Sequence, residues 1–364
     1  MRDTASDNRV DLASLERSDL ETALVARGLD RFRATQIFQW IHKRGVAEIA
    51  AMTDLSRELR ATLAESFALI TPTITTRDRS VDGTEKFLLR LADGRQIESV
   101  FIPDTPAMTF CISTQVGCAM ACAFCLTGKM GLVRNLTSGE IVGQVRVLAH
   151  ALDLLGRPFN IVLMGMGEPL HNYDDTMKAL RILADKAGMA LPPRRVTLST
   201  VGLLPALERL AQEPVMPNLA ISLHAPTDTL RGELVPINRK YGIAETIAAC
   251  KRFPLKRRSR ITFEYVLLAG VNDSPEQARQ LATLLAGVKS KINIIPLNAA
   301  PGIPFERPSD QAIERFAKTL ADRGLTVSVR KSRGRDIRAA CGQLIVEGLH
   351  RSPGQTLAAQ AFEN

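Results

Sequence analysis

The sequence has few of the features that mark membrane or secreted proteins. Aromatic residues make up 5% of its 364 residues, with a single tryptophan, and no run of about 18 or more apolar residues is long enough to cross a bilayer. The first residues, MRDTASDNRVDLASLERSD, lack the apolar stretch of a secretory signal. We therefore expect a soluble cytoplasmic monomer that has no association with membranes.

Cysteine is also scarce, which excludes a disulfide scaffold. The six cysteines are too few to cross-link a chain of 364 residues, and four of them lie within fifteen residues. In a reducing compartment such crowding favours metal or redox chemistry over cross-links. The six positions are 111, 118, 122, 125, 250 and 341.

The charge balance is basic. Forty-seven Lys and Arg against 38 Asp and Glu give a formal charge of +9, which favours approach to a polyanion such as RNA. An ordinary basic soluble protein has the same balance, so charge alone leaves both readings open. Residues 251–260, KRFPLKRRSR, are either phosphate contacts near one rim of the fold or a solvated loop.

Hydrophobic periodicity divides the chain into four parts. Residues 1–66 have helical periodicity and predict a small N-terminal helical accessory domain. Residues 67–104 contain short β-prone runs separated by Asp82-Gly83 and Asp93-Gly94, dipeptides typical of hairpin turns, and predict an antiparallel β-meander that links the domains. Residues 105–350 form the main domain, and a frayed tail is expected over 351–364.

The main domain is predicted to have an α/β fold with a parallel sheet. Six short apolar strands alternate with amphipathic helices, and six units are fewer than the eight of a closed barrel. We therefore expect a partial (βα)6 barrel whose site lies at the carboxyl ends of its strands. The predicted strands are TFCISTQV, FNIVLMG, RRVTLST, NLAISLH, RITFEYVLL and INIIPL.

Polar and glycine residues end several of these strands, where apolar alternation gives no reason for them. Collected at one rim, they would hold a ligand that has ammonium, carboxylate and ribose groups. They include Gly167, Glu168, Ser199, Ser222, His224 and Asn298.

Three cysteines form a C-x3-C-x2-C motif directly after the first predicted strand. Three thiolates suit a cubane iron–sulfur cluster whose fourth iron is open to substrate, whereas closed zinc sites normally need four ligands. A zinc-bearing RNA-binding module is the non-enzymatic alternative. The spacing of Cys118, Cys122 and Cys125, with Phe124 before the last, is similar to the signature of the radical S-adenosylmethionine superfamily.

From about Arg31 to about Leu344 the chain resembles the RlmN-type radical S-adenosylmethionine methyltransferases, which form 2-methyladenosine in 23S ribosomal RNA and transfer RNA. The resemblance implies a 4Fe–4S cluster, two molecules of S-adenosylmethionine per turnover, and an electron donor such as flavodoxin or ferredoxin. It rests on the ordered motifs IESVFIP, CISTQVGCAMACAFC, RNLTSGEI, GMGEP, TLSTVG, SLHAP, VNDS and RAACGQL.

The resemblance also implies roles for individual residues. Cys118, Cys122 and Cys125 match the cluster ligands. Cys341 matches the cysteine that becomes S-methylated, and Cys111 matches the cysteine that releases the product through a transient disulfide. The implied S-adenosylmethionine contacts are Gly167, Glu168, Ser199, Ser222, Leu223, His224 and Asn298.

Two further residues complete these expectations. Glu98 matches the proton acceptor, although Cys111 is an alternative acceptor, with Glu98 ordering water. Cys250 matches no functional position and is expected to be structural.

The chemistry explains why two extra cysteines are needed. C2 of adenine is electron-poor and cannot attack a methyl sulfonium, which excludes a direct polar transfer. In the family's mechanism a radical removes hydrogen from the methyl group on Cys341, and the resulting sulfur-bound radical adds to C2. The nearby Arg333, Arg335 and Arg338 would favour the Cys341 thiolate, contact phosphates or face solvent.

Two enzymatic alternatives remain open at this point. Cfr-type methyltransferases share the cysteines but methylate C8 of the same ribosomal adenosine, and Pro169 after Glu168 favours C2. A radical enzyme that acts on a protein or a small molecule would have no obvious use for Cys111 and Cys341.

Overall fold

The computed structural model describes residues 9–103 and 107–346, so the predicted tail at 351–364 lies outside the described residues. The chain begins with short helices and then forms three antiparallel strands. The elements are β1 (Val10–Asp11), α1 (Arg17–Val25), α2 (Arg33–His42), α3 (Arg57–Ser66), β2 (Phe67–Ala68), β3 (Thr73–Arg79), β4 (Glu85–Arg90) and β5 (Gln96–Ile102).

Strands and helices then alternate to the end of the described chain. None of the helices in the two described ranges combines the length and the apolar character that a membrane span requires. The elements are β6 (Thr109–Cys111), β7 (Gln115–Gly117), α4 (Leu126–Met130), β8 (Leu132–Asn135), α5 (Ser138–Ala151), β9 (Asn160–Leu163), α6 (Tyr173–Ala184), β10 (Val196–Thr200), α7 (Leu204–Leu210), β11 (Asn218–Ser222), α8 (Asp228–Leu234), α9 (Ile243–Arg252), β12 (Ile261–Leu267), α10 (Pro275–Leu284), β13 (Ser290–Pro296), α11 (Asp310–Ala321) and β14 (Val327–Val329).

The main sheet confirms the predicted α/β partial barrel. Its order is β14-β13-β12-β11-β10-β9-β6-β5-β4-β3, and the strands from β6 to β14 are parallel. The first predicted strand, TFCISTQV, is split, because β7 leaves the barrel and pairs with β8. The sequence did not predict β14, since three residues ending on a half-exposed Val329 give no strong apolar signal.

The β-meander is continuous with the barrel. Strand β5 pairs antiparallel with β6, with Val100 opposite Cys111, so β3 to β5 extend the same sheet. The meander therefore does more than link two domains, because its last strand lies beside the strand that carries Cys111. The predicted boundaries at 66/67 and 104/105 stay predictions.

The N-terminal helices pack on the outside of the barrel through α5. The buried Arg146 of α5 donates from Nε to the Ile41 carbonyl at 3.2 Å and from Nη2 to the Val46 carbonyl at 2.5 Å. Ile37 and Ile41 are fully buried on one face of α2. A buried guanidinium that bonds to main-chain carbonyls ties the two parts of the fold together.

Candidate active site

Two neighbouring cavities bring five of the six cysteines together at the carboxyl ends of the strands. The larger is lined by Cys118, Cys122, Cys125 and Cys341. The smaller is lined by Cys111 and Cys341. Cys250 lies apart, buried in the apolar core under α9, as a structural cysteine would. The cavities share the lining residues Met164, Ile295, Asn298, Arg330 and Cys341.

The three motif cysteines lie in a compact loop between β7 and α4. The Cys125 amide donates to the Cys122 carbonyl at 3.1 Å, and a Cβ on Gly128 would lie 3.0 Å from the Cys122 nitrogen. Burial raises the pKa of all three thiols, and for Cys122 the negative charges of its two neighbours raise the pKa further. Three thiolates can therefore coexist here only with a compensating positive charge, such as that of iron.

The donor set fits an iron–sulfur cubane. Across the two described ranges, no three His, Cys, Asp or Glu side chains converge on the position of a single metal ion. A cubane does not require such convergence, since each cysteine binds a different iron of the cluster.

The GMGEP segment after β9 needs its glycines to pack against the connection between β6 and β7. A Cβ on Gly165 would lie 2.7 Å from the Ile112 carbonyl carbon. A Cβ on Gly167, which has φ +104°, would lie 2.7 Å from the Gln115 Cβ. The close approach at these glycines is thus between two segments of the protein.

Gly167→Ala is expected to destabilise the protein by about 2–4 kcal/mol, because alanine adds backbone strain and an overlap with Gln115. Gly287→Ala is the matched control, since Gly287 has φ +77° but no atom within 4 Å of the point where a Cβ would lie. That control should lose only about 1–2 kcal/mol of stability, which is the cost of placing alanine in the left-handed backbone region. Urea unfolding measures both variants, and equal losses would show that the contact with Gln115 is unimportant.

Glu168 is a buried carboxylate at the edge of the larger cavity. Its Oε2 accepts from the Val201 amide at 2.9 Å and its Oε1 from the Leu170 amide at 3.0 Å. Burial raises the pKa of Glu168 to about 7 even though these hydrogen bonds lower it. A cationic group of a ligand would favour the ionised form of this carboxylate.

Ser199, Ser222 and His224 also line the larger cavity, at the ends of β10 and β11. The two serine hydroxyls are 3.3 Å apart. His224 Nδ1 accepts from the Val266 amide at 3.0 Å, which places the ring proton on Nε2. Burial lowers the pKa of His224 to about 3, so the ring is neutral.

Leu223 differs from the other predicted contacts, because it is buried in the core and does not line the cavity. Its carbonyl accepts from Arg231 Nε at 3.0 Å. The same buried guanidinium donates from Nη2 to the carbonyls of Val201 at 2.7 Å and Ser222 at 3.1 Å. Arg231 therefore holds the ends of β10 and β11 in place, a role that the sequence did not predict.

Asn298 connects the cofactor side of the site to Cys341. Its Nδ2 donates to the Cys341 carbonyl at 3.2 Å, whereas its Oδ1 is buried and has no hydrogen-bond partner among the described residues. A buried acceptor left unpaired costs about 1–3 kcal/mol. A ligand that carries amino groups, as S-adenosylmethionine does, fits this unpaired oxygen.

The segment that carries Cys341 is fixed by hydrogen bonds to the residues that directly follow the cysteine. The Leu126 amide donates to the Gly342 carbonyl at 2.9 Å, and the Thr127 hydroxyl donates to the Leu344 carbonyl at 2.6 Å. Because Leu126 and Thr127 directly follow Cys125, these bonds join the Cys341 segment to the loop of the motif cysteines.

Glu98 holds the same segment from the meander. Its Oε2 accepts from the Ile345 amide at 2.8 Å, and its Oε1 lies 3.0 Å from Lys86 Nζ. Burial raises the pKa of Glu98, while Lys86 lowers it. Glu98 lines neither cysteine cavity, so the structure does not bring it together with the thiols, and its role as proton acceptor stays a prediction.

The guanidinium next to Cys341 belongs to Arg330, which the sequence did not single out. Arg330 hydrogen-bonds the Cys341 side chain, and the negative charge of that sulfur raises the pKa of Arg330. Of the three arginines expected near Cys341, Arg333 lines the smaller cavity, whereas Arg335 and Arg338 are exposed. Arg330 follows the unpredicted β14, which explains the omission.

A second missed residue is Glu264, whose buried carboxylate lines the larger cavity from β12. Its Oε2 accepts from Asn293 Nδ2 at 2.7 Å. A charged residue inside the strand ITFEYVL, at a position that alternation directs inward, was the signal available in the sequence.

The turn between β3 and β4 is hydrogen-bonded to Gly334 and Asp336, which precede Cys341 in the chain. The Gly334 amide donates to Asp82 Oδ2 at 3.0 Å, and the Ser80 hydroxyl donates to Asp336 Oδ1 at 2.5 Å. Burial raises the pKa of Asp82, but hydrogen bonds from Thr84, Gly334 and Ser80 outweigh it and bring the value to about 2.

Asp82→Asn is expected to loosen residues 333–338, because the ionised acceptor of the Gly334 amide is lost. Asp82 has a folded pKa below its unfolded value of about 3.9, so its stabilisation is present above about pH 4 and lost as the pH falls towards 2. Hydrogen exchange at pH 7 should show faster exchange of the Gly334 amide in the variant. Asp93→Asn alters the next hairpin turn and should leave the exchange rate of the Gly334 amide unchanged. Equal exchange rates of this amide in wild type and both variants would show that Asp82 does not hold Gly334.

The fold and the thiol-lined site define a radical S-adenosylmethionine enzyme, and family models agree. The model of the Radical SAM superfamily matches residues 112–282, and that of the ribosomal RNA large subunit methyltransferase N-terminal domain matches residues 10–69. A radical SAM methyltransferase from Sphaerobacter thermophilus has a crystal structure that matches with a TM-score of 0.88 and 49% identity, covering 92% of this chain and 99% of that one.

Named relatives make the assignment more specific. The dual-specificity RNA methyltransferase RlmN of Anaeromyxobacter dehalogenans is 48% identical, with 98% of this chain and 97% of that protein covered. The protein of the same name from Geobacter sulfurreducens is 49% identical, with 93% and 92% covered. The chain belongs to the RlmN family, which confirms the resemblance seen in the sequence, and the cofactors of this enzyme class are a 4Fe–4S cluster and S-adenosylmethionine.

Proposed function

We propose that this protein methylates C2 of an adenosine in 23S ribosomal RNA and in transfer RNA, with Cys341 as the methyl carrier and Cys111 as its resolving partner. The observation that carries the proposal is the smaller cavity, in which these two thiols lie directly beside the cavity of the motif cysteines. An enzyme that only generated a radical for a small molecule would have no use for that pair.

The cofactor roles follow from the lining of the larger cavity. When bound, the cluster and S-adenosylmethionine supply the methyl group and the radical. We assign Cys118, Cys122 and Cys125 to the cluster. Leu223 supports the rim from the core through its bond to Arg231. The residues that we assign to S-adenosylmethionine are Gly167, Glu168, Ser199, Ser222, His224 and Asn298.

Arg330 prepares Cys341 for methylation. A guanidinium that hydrogen-bonds a thiol favours its thiolate, and the thiolate is the form that displaces a methyl group from a sulfonium. The hydrogen bonds to the Gly342 and Leu344 carbonyls, just after Cys341, hold the segment whose cysteine lines the larger cavity. Arg330 thus activates the sulfur, while the neighbouring segments position it.

Cys111 acts later than Cys341, and its burial explains the order. Burial, together with the negative charge of Cys341, raises the pKa of Cys111 to about 12. Cys111 therefore stays a neutral thiol as long as the Cys341 sulfur beside it can carry a negative charge. Methylation of Cys341 removes that charge. Once the methylene carbon on Cys341 is bonded to C2, Cys111 can attack the Cys341 sulfur: the sulfur–carbon bond breaks, the released carbon takes up the proton that Cys111 loses and becomes the methyl group of the product, and an external reductant must reopen the resulting disulfide.

Glu98 has a positioning role in this proposal, because its carboxylate is already bonded to Lys86 and to the Ile345 amide. Cys111, which lies in the thiol cavity, is then the group that accepts the C2 proton. The proposal also includes a cytoplasmic monomer that receives its electrons from a flavodoxin or a ferredoxin.

Nucleoside analysis tests the reaction. Anaerobically purified enzyme, S-adenosylmethionine and a reductant would be incubated with unmodified 23S ribosomal RNA and transfer RNA, and the digested RNA examined by mass spectrometry against standards. We expect 2-methyladenosine in both. 8-Methyladenosine would instead identify a Cfr-type activity, and stoichiometric zinc without iron in the active preparation would contradict the radical mechanism.

A further inference from the structure

The barrel has a second opening, at the amino-terminal ends of its strands. An open channel begins there, and its polar lining comes from the first or second residues of successive strands. These residues are Thr109, Asn160, Thr197, Asn218, Thr262 and Lys291. Barrel interiors are normally filled with branched apolar side chains, so an open polar interior calls for a functional explanation.

The channel adjoins the larger cysteine cavity along the inward faces of the strands. On β13, Lys291 and Asn293 line the channel, whereas Ile295 lines the larger cysteine cavity. Side chains two residues apart on a strand point to the same side, so these residues form one inner surface. Met164, Glu264 and Arg330 line both spaces.

The channel also reaches the two catalytic thiols. Arg333 and Ile102 line both the channel and the smaller cavity that holds Cys111 and Cys341. On the opposite side, the motif loop is bonded to the Cys341 segment by the Leu126 amide, which donates to the Gly342 carbonyl. A substrate that arrived from that side would have to pass the cluster and S-adenosylmethionine.

The channel is strongly basic. Among the described residues, five cations line it besides Arg330, against one carboxylate, that of Glu264. Within the described part of the chain, none of the five has a carboxylate within 4.0 Å, since every ion pair found there joins other residues. These cations are Arg194, Arg195, Lys291, Lys331 and Arg333.

We propose that RNA binds at this amino-terminal mouth, with its phosphates on Arg194, Arg195, Lys291 and Lys331, and that the target adenosine is flipped through the channel to Cys341. The inference rests on the proposed function. Uncompensated cations are suited to phosphates, and a polar interior admits a single unpaired nucleotide. Residues 251–260 precede β12 and so lie at the same end of the barrel, which makes them an extension of the RNA surface.

Charge removal tests the surface. The holoenzyme carrying Arg194→Gln with Arg195→Gln, or Lys291→Gln with Lys331→Gln, would be compared with wild type by transfer RNA binding at about 50 and about 200 mM salt. Each pair should weaken binding about tenfold at the lower salt and reduce the slope of log Kd against log salt by about 1.4 to 1.8, as expected for two lost phosphate contacts.

A matched control removes two charges elsewhere. Arg279→Gln with Arg315→Gln alters exposed residues on the outer helices α10 and α11 and should leave transfer RNA binding unchanged. Mass spectrometry of Cys341 methylation, which requires S-adenosylmethionine but no RNA, should show no change in any of these variants. This second readout shows that the cofactor side of the site remains intact.

A neutral block tests entry separately from charge. Ser328 is exposed on β14 and lines the channel, so Ser328→Trp should reduce RNA methylation at least about tenfold while Cys341 is still methylated, and Ser328→Ala should be active. Wild-type RNA binding and salt dependence in both charge variants, or full activity of Ser328→Trp, would overturn the entry route. If the wild-type enzyme itself methylated no RNA, the proposed function would fail instead.

Discussion

Cys341→Ala is expected to reduce RNA methylation by about three orders of magnitude or more, because alanine cannot carry the methyl group to an electron-poor carbon. The variant should still bind iron and S-adenosylmethionine, since the hydrogen bonds that join this segment to the motif loop are accepted by the Gly342 and Leu344 carbonyls and do not involve the Cys341 side chain. The measurement is methylated nucleoside per enzyme, with iron content and cleavage of S-adenosylmethionine determined on the same preparation.

Cys250→Ala is the control for this prediction. Cys250 is buried, as Cys111 is, but packs in the apolar core and lines neither cysteine cavity. It should lose some stability, about 1–2 kcal/mol by loss of buried volume, and retain methylation. Methylated RNA produced by the Cys341→Ala enzyme at a rate near that of Cys250→Ala would rule out the carrier role.

The sequence predicted the radical chemistry better than the surroundings of the methyl carrier. Motif spacing identifies Cys118, Cys122 and Cys125 because all three lie in one loop, where sequence distance limits spatial distance. Alternation of apolar residues likewise predicted six strands of the barrel, since each buried strand has its own local pattern.

The sequence did not predict the residues that contact Cys341 or its segment, because these contacts join positions far apart in the chain. Arg330 follows a strand of only three residues, and Asp82 acts on Gly334 from the turn of a hairpin 252 residues away in sequence. For Glu98 the motif predicted proton transfer, which stays a prediction, whereas its contacts with the Ile345 amide and with Lys86 could not be predicted from the motif. The partner of a buried charged side chain can be identified only from the folded structure.

Cys111→Ala is expected to convert the enzyme into a covalent protein–RNA adduct, with up to about one RNA per chain. The variant can still methylate Cys341 and attach its methylene carbon to C2, since both steps need only Cys341, Arg330 and the cofactors. It lacks the thiol that attacks the Cys341 sulfur, so the product cannot leave. A gel shift that resists denaturant and RNase trimming followed by peptide mass spectrometry would place the adduct on Cys341.

The chemistry of the linkage distinguishes this adduct from a disulfide cross-link. A thioether between Cys341 and the nucleotide is stable to excess dithiothreitol, whereas a disulfide is reduced by it. Cys111→Ala combined with Cys341→Ala removes the attachment point and should form no adduct. If Cys111→Ala instead released 2-methyladenosine at the wild-type rate, another group would have to resolve the intermediate, and the buried position of Cys111 beside Cys341 would need a different explanation.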